Sequence, residues 1–246
     1  MQEEVLTVHP MHQFELKRLI TLNIAGYDLS FTNSSLAMMM VGALVSLMTF
    51  LFYNRKNKLV PTKLQAFFEV VLSAMNGIIK DNLAPEGRKY FNLIFSIFIF
   101  ILSLNIIGLL PFSFTATSHI SITFSLAIII FFITVAIAIA RHGLLFFKIF
   151  IPHGTPLWLA PLMFILELFS FLMRPVSLGI RLAANMMAGH IMLDVLAFFT
   201  ILMKWLGIFP FAFLTIMMGF EFFVALLQSY IFTVFACVYI SEALHH

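Results

Sequence analysis

The sequence predicts an all-α, polytopic membrane protein. About five membrane-crossing helices are expected, plus an interfacial helix, with a long tilted helix hairpin at the C-terminal end. Three observations predict this. Of the 246 residues, 62% are apolar and only 10% charged, against roughly 25% charged in soluble domains. The apolar runs far exceed the roughly 9–11 residues of a barrel strand, and a helix satisfies its own backbone polar groups within lipid. Lysines and arginines gather at the ends of those runs, the placement that orients helices across a bilayer.

The same composition excludes several function classes. The basic residues, with a net charge of +3, sit at span edges rather than in an aromatic-interleaved patch, so a nucleic-acid partner is not expected. The single cysteine, Cys237, lies in an apolar run and allows no disulfide, haem pair or thiolate metal site within the chain. The 31 phenylalanines and 15 methionines suit a lipid-facing surface and imply no cofactor. The first thirty residues are polar and carry Glu3, Glu4, Glu15, Lys17 and Arg18. No signal peptide is visible there, and the first apolar span is expected to direct insertion.

Along the chain, one membrane domain over 1–246 is expected, opening with a polar segment at 1–35 in which Asp28 and Asn33 are candidate helix starts. Residues 36–53 form the first span, closed by Arg55, Lys56 and Lys58. After Pro61, the segment 62–80 sets Lys63, Glu69 and Lys80 opposite apolar residues, the pattern of an interfacial helix. A charged loop follows with Pro85 and Gly87, and then a second span at 90–110 stopped by Pro111. A third span at 120–140 ends at Arg141 and His142, and Pro152, Gly154, Pro156 and Pro161 punctuate the next connection. Two runs at 161–202 and 208–244 remain, each longer than the roughly 20 residues of a perpendicular crossing, so tilt is expected. With the basic flanks inside, the N-terminus falls outside and the C-terminus inside. No internal repeat is visible, and no inverted-repeat transporter is indicated.

Arg181 carries the most chemical information. It lies deep in an apolar stretch, yet a guanidinium cannot shed its proton. Burial at mid-bilayer costs about 3 kcal/mol or more, so such a charge pairs, lines a wet cavity or does work. Glu167, Arg174 and Arg181 are spaced by seven and fall within about 40° on one helix face. Ser177 and Asn185, four residues either side of Arg181, share that stripe. His190 lies about 180° away, with Asp194 one turn further on. In the last run, Glu221 and Gln228 are also seven apart, and no basic residue stands within a turn of Glu221. A carboxyl buried without a cation disfavours its charged form, and an imidazole titrates near about pH 6.5. His190, Asp194 and Glu221 therefore suit a proton relay. They could also bind zinc, but a His–x3–Asp spacing is common by chance and no metal is expected. His119, beside Ser118 at the outer edge of the third span, stays open between a solvated side chain and a member of the path. The residues alone describe a membrane protein that moves protons or cations past a fixed positive charge.

Four segments then carry a resemblance: LNIIGLLPFSFTATSHISIT (104–123), IPHGTPLWLAPLMFILE (151–167), ELFSFLMRPVSLGIRLAANMMAGH (167–190) and GFEFFVALLQSYIFT (219–233). Together with HQFELKRL near the start, they resemble subunit a of the F-type ATP synthase, in the style of alphaproteobacteria or their mitochondrial descendants. The resemblance implies a non-catalytic stator subunit beside a rotating ring of c subunits, with b-type stator subunits as further partners and the soluble head engaged indirectly. It implies two half-channels that pass protons to and from the ring carboxyls. Arg181 matches the family's essential arginine, the counter-charge to a ring carboxylate. Asn185, His190 and Glu221 match the outer half-channel, and Gln228 the glutamine packed near the arginine. Glu167, Arg174 and Ser177 match the inner exit path. Asp194 is a looser match, and Asn105 stands where some relatives carry an acid. The membrane implied is the bacterial inner membrane, with the mitochondrial inner membrane as the alternative.

A stand-alone proton-coupled secondary transporter is the competing reading, but it would call for repeats or broken helices around a midplane substrate site. An intramembrane enzyme would call for motifs such as HExxH or GxSxG, which the sequence lacks. The orientation is directly testable. A cysteine introduced at Lys58 is expected to react with membrane-impermeant maleimide only from the inner side, and outer-side labelling would invert the topology.

Overall fold

Length and apolar content dictate helices, and the helices dominate the fold. A computed structural model describes residues 18–20, 23–24, 27–28, 30–53, 63–83, 87, 89–110, 115–143, 156 and 158–245. Among these, six α-helices run in order: α1 Asn33–Tyr53, α2 Lys63–Leu83, α3 Phe91–Gly108, α4 Ile120–His142, α5 Ala160–Leu202 and α6 Ile208–His245. By length and composition α3, α4, α5 and the stretch Lys204–Leu244 can each cross a membrane. The chain is an all-α, polytopic membrane protein with a long C-terminal helix. Arg55, Lys56, Lys58, Pro61, Pro85, Pro111, Pro152 and Gly154 lie outside the described residues, as does most of HQFELKRL.

The polar N-terminal region adds two short antiparallel ladders. One pairs β1 (Arg18–Ile20) with β4 (Phe31–Thr32), and the other pairs β2 (Asn23–Ile24) with β3 (Tyr27–Asp28). Strands this short carry no readable alternation in sequence. Asp28 ends a strand rather than starting a helix. The cap of α1 is Thr32, whose hydroxyl oxygen accepts the Ser35 backbone N–H at 3.4 Å, the bond expected of a residue just before a helix.

The chain divides into two compact units. One comprises residues 1–50, 100–122 and 182–229, and the other 51–99, 123–181 and 230–246. In the first unit Ala37, Val41, Leu104 and Ala116 form a core flanked by Val45, Phe100 and Ile122. The second half of α5 and the first half of α6 form a hairpin here, joined by a 3-10 turn at Lys204–Gly207. Lys204 adopts a left-handed φ of 46°, which is uncommon for a residue with a side chain. Gly207 ends the turn where a Cβ would meet the Thr200 carbonyl oxygen at 2.3 Å, so no larger residue fits.

In the second unit α2 turns Met75, Ile79 and Leu83 inward and leaves Lys63, Glu69 and Lys80 exposed. Spacing by four places the buried set on one face, the amphipathic pattern the sequence anticipated. Ile79 and Leu83 pack with Ile94, Cys237, Ile240 and Leu244. On α4, Thr123, Ala127, Ile130, Thr134 and Ala138 are buried along one stripe. The Thr134 hydroxyl donates back to the Ile130 carbonyl at 2.9 Å, so its polarity is satisfied within the helix. Gly179 of α5 meets α4 backbone to backbone, since a Cβ there would lie 3.0 Å from the Phe124 Cα. Small residues permit such approach where lipid provides no hydrophobic drive between helices.

That contact makes a prediction. Gly179→Ala should destabilise the protein by about 1–3 kcal/mol through overpacking. Gly42→Ala is the control, because nothing lies within 4 Å of a Cβ at Gly42, and this change should be neutral or stabilising. Thermal denaturation of the purified protein in detergent compares the two variants.

Candidate functional site

Each unit holds its own set of polar side chains. In the second unit they lie on the first half of α5 and the last turns of α6. The α5 residues spaced by seven, Glu167, Arg174 and Arg181, fall on this half, with Ser177 between the arginines. Pro175 lies inside the helix and is buried.

Arg174 is heavily partnered. Its guanidinium pairs with Glu242 of α6, lies 3.7 Å from the Glu167 carboxylate, and sits over the rings of Phe171 and Tyr239 at 5.8 and 5.6 Å. One cation held by two carboxylates and two aromatic faces is neutralised locally. Arg181 differs. Among the described residues it forms no ion pair, and its guanidinium carbon lies 5.5 Å from the Phe235 ring centroid. It is exposed on the isolated chain. An open groove of about 370 Å³ runs past it, lined by Ser170, Met173, Arg174, Ser177, Leu178, Arg181, Phe235 and Tyr239. The groove therefore contains one neutralised cation and one available cation.

The first unit contains the remaining candidates. Asn185 of α5 donates from Nδ2 to Oε1 of Gln228 on α6 at 3.1 Å. Glu221 of α6 is buried against α5 at Gly189. A Cβ on Gly189 would fall 1.7 Å from Glu221 Oε1 and 2.6 Å from its carboxyl carbon, so the missing side chain provides the space for the carboxyl. Neither Glu221 oxygen has a hydrogen-bond partner among the described residues, and Asp194 is within electrostatic reach. His190, next in sequence to Gly189, places Nε2 3.0 Å from the Thr115 hydroxyl. His119 closes the 3-10 turn Ala116–Ser118 ahead of α4, and burial lowers its imidazole from the usual histidine range. Among the described residues no three histidine, cysteine, aspartate or glutamate side chains group as metal ligands.

Several polar contacts emerge only in three dimensions. Glu242 was open to detection, because it extends the spacing of seven that links Glu221 and Gln228. Thr115 gave no periodic signal, since it lies in the connection between α3 and α4. Asn105 is fully buried and donates to the Ala225 carbonyl and the Ser229 hydroxyl, both at 3.3 Å, which makes it a tie between α3 and α6.

The Arg174–Glu242 pair can be measured. A double-mutant cycle with Arg174→Met and Glu242→Ala should show a coupling of about 1.5–3 kcal/mol, the range for a hydrogen bond to a charged group. The double variant should lose less stability in detergent than the sum of the two single losses.

Over residues 35–241, the chain matches the family model described as ATP synthase A chain.

Proposed function

Because the chain belongs to the ATP synthase A chain family, the non-catalytic stator subunit that carries protons through the membrane sector of the F-type ATP synthase, we propose that Arg181 is its essential counter-charge. The protein is an integral membrane protein working in a complex with the c-ring and other synthase subunits. In our reading the ring and the b-type stator subunits are its direct partners, the soluble head is engaged indirectly, and the membrane is the bacterial inner membrane, with the mitochondrial one as the alternative.

The observation that carries this assignment is the contrast between the two arginines. Arg174 is neutralised by Glu242 and Glu167, whereas Arg181 is exposed beside a groove and forms no ion pair among the described residues. A cation that cannot titrate serves as counter-ion and barrier rather than as a relay. Facing the ring, it would hold each arriving c-subunit carboxyl in its ionised form. A ring carboxyl moving into lipid must be protonated, because an isolated ion there is expensive. Rotation then follows from protonation on one side of the barrier and deprotonation on the other.

The titratable groups are divided accordingly. Glu167, Arg174 and Ser177, with Glu242, would form the inner exit path. Asn185, His190, Glu221 and Gln228 would form the outer entry path, with Asp194 and His119 as its flanking members. Glu221 supports a carrier role through its burial without a hydrogen-bond partner among the described residues. A carboxyl so placed favours its neutral form over a stranded charge.

One elementary charge crossing the membrane is worth about 2.3 kcal/mol per 100 mV, and a leak past Arg181 would dissipate that energy without rotation. Arg181→Ala is expected to assemble, abolish ATP synthesis, and pass protons in vesicles stripped of the soluble head. Arg181→Lys is expected to fail nearly as completely, because an ammonium can lose its proton when buried. ATP synthesis in intact vesicles and proton flux in stripped ones are the two assays. Synthesis at the parental rate in Arg181→Ala would refute the assignment.

A further inference from the structure

Thr115 lies in a connecting turn, yet its side chain touches a residue of the proposed outer path. It is buried, and its hydroxyl has two neighbours. It donates to the Gly108 carbonyl oxygen at 3.1 Å, and it lies 3.0 Å from His190 Nε2. A hydroxyl has a single proton, and the carbonyl can only accept. With that proton directed to Gly108, the Thr115 oxygen is left as an acceptor toward the imidazole, and His190 must supply the hydrogen from Nε2.

We propose that Thr115 is a positioning residue that keeps a proton on Nε2 of His190, so that His190 takes up and releases its channel proton at Nδ1. In the neutral ring Nε2 carries the hydrogen and Nδ1 the lone pair. In the imidazolium both nitrogens carry hydrogen, and the proton that leaves is the one on Nδ1. The bond to Thr115 is kept through the whole cycle, and only one ring nitrogen exchanges.

The surroundings of Thr115 are built to hold this arrangement. The Ser118 hydroxyl donates to the Thr115 carbonyl at 2.7 Å, pinning the backbone at the start of the turn. Gly108 admits the threonine closely, since a Cβ there would lie 2.9 Å from the Thr115 γ-methyl. A partner that fixes one imidazole nitrogen determines what the other can do. The inference rests on the proposed role of His190 as a proton carrier, and its test separates the two.

The experiment uses the intact synthase with ¹⁵N-labelled histidine, observed by solid-state NMR well above the ordinary imidazole titration near about pH 6.5. Signals of His190 are identified by their loss in His190→Ala. The expected result is a protonated Nε2 and an unprotonated Nδ1 in the parent and in Thr115→Ser. In Thr115→Val, which removes the hydroxyl at similar volume, the Nε2-protonated form should no longer dominate. Proton-driven ATP synthesis should fall about threefold to tenfold in Thr115→Val, the equivalent of one neutral hydrogen bond, and recover in Thr115→Ser. A neutral His190 protonated on Nδ1 in the parent overturns the proposal, and that result needs no variant to fold. Unchanged synthesis in Thr115→Val, with synthesis lost in His190→Ala, also overturns it. Unchanged synthesis in His190→Ala instead overturns the carrier role of His190, whatever the NMR shows for its tautomer.

Discussion

A positive charge that no physiological pH can remove, set in a helix made for lipid, constrains everything around it. Two such charges occur on α5, seven residues apart, and the chain treats them in opposite ways. Arg174 is surrounded by Glu242, Glu167 and two aromatic faces. Arg181 has only the edge of that treatment, a single ring at 5.5 Å among the described residues. Neutralising the first leaves the field of the second intact, where two bare cations on one stripe would repel. In the proposed mechanism that division of labour is what makes a barrier out of one residue.

The polar side chains of the first unit suit the proton traffic proposed for them better than they suit stability. A buried carboxyl without hydrogen bonds is a destabilising feature that a purely structural helix pair would have replaced with an apolar residue. Glu221 is kept, and Gly189 opposite it gives up its own side chain to make room. Asn185 and Gln228 bond to each other at 3.1 Å, so that amide pair is partly satisfied, while Gln228 Nε2 remains without a partner among the described residues. The packing tolerates unfinished hydrogen bonding where protons are proposed to pass.

The fold class was legible because membrane helices announce themselves: long apolar runs, charged ends and proline stops are local properties. The amphipathic face of α2 was legible for the same reason. What stayed hidden was lateral. Helical periodicity places Arg174 on a stripe and Glu242 in register with Glu221 and Gln228, but it does not say which helix faces which, so Glu167 was visible as a neighbour of Arg174 and the pairing with Glu242 was not. Thr115 was hidden because it lies outside any periodic element, and the role proposed for it comes from a contact 75 positions away in sequence. The start of α1 at Asn33 was legible, while its capping hydroxyl, on Thr32 one residue earlier, was not, since several residue types serve as caps and only the backbone geometry chooses between them. The two small ladders before α1 are too short to leave a pattern. The family was readable from several motifs in order, which together carry more specificity than any one polar residue.

The turn at Lys204–Gly207 has a mechanical meaning. Its left-handed lysine and its glycine, wedged against the Thr200 carbonyl, leave the tip of the hairpin almost no slack. A slip of one residue between the facing halves of α5 and α6 would move side chains by about 1.5 Å along the axis and turn them by about 100°, carrying Asn185 away from Gln228 and Glu221 away from Gly189. The tip thus works as a gauge block that sets the register of these two facing halves from one end. A stator subunit beside a turning rotor gains stiffness there from backbone geometry alone.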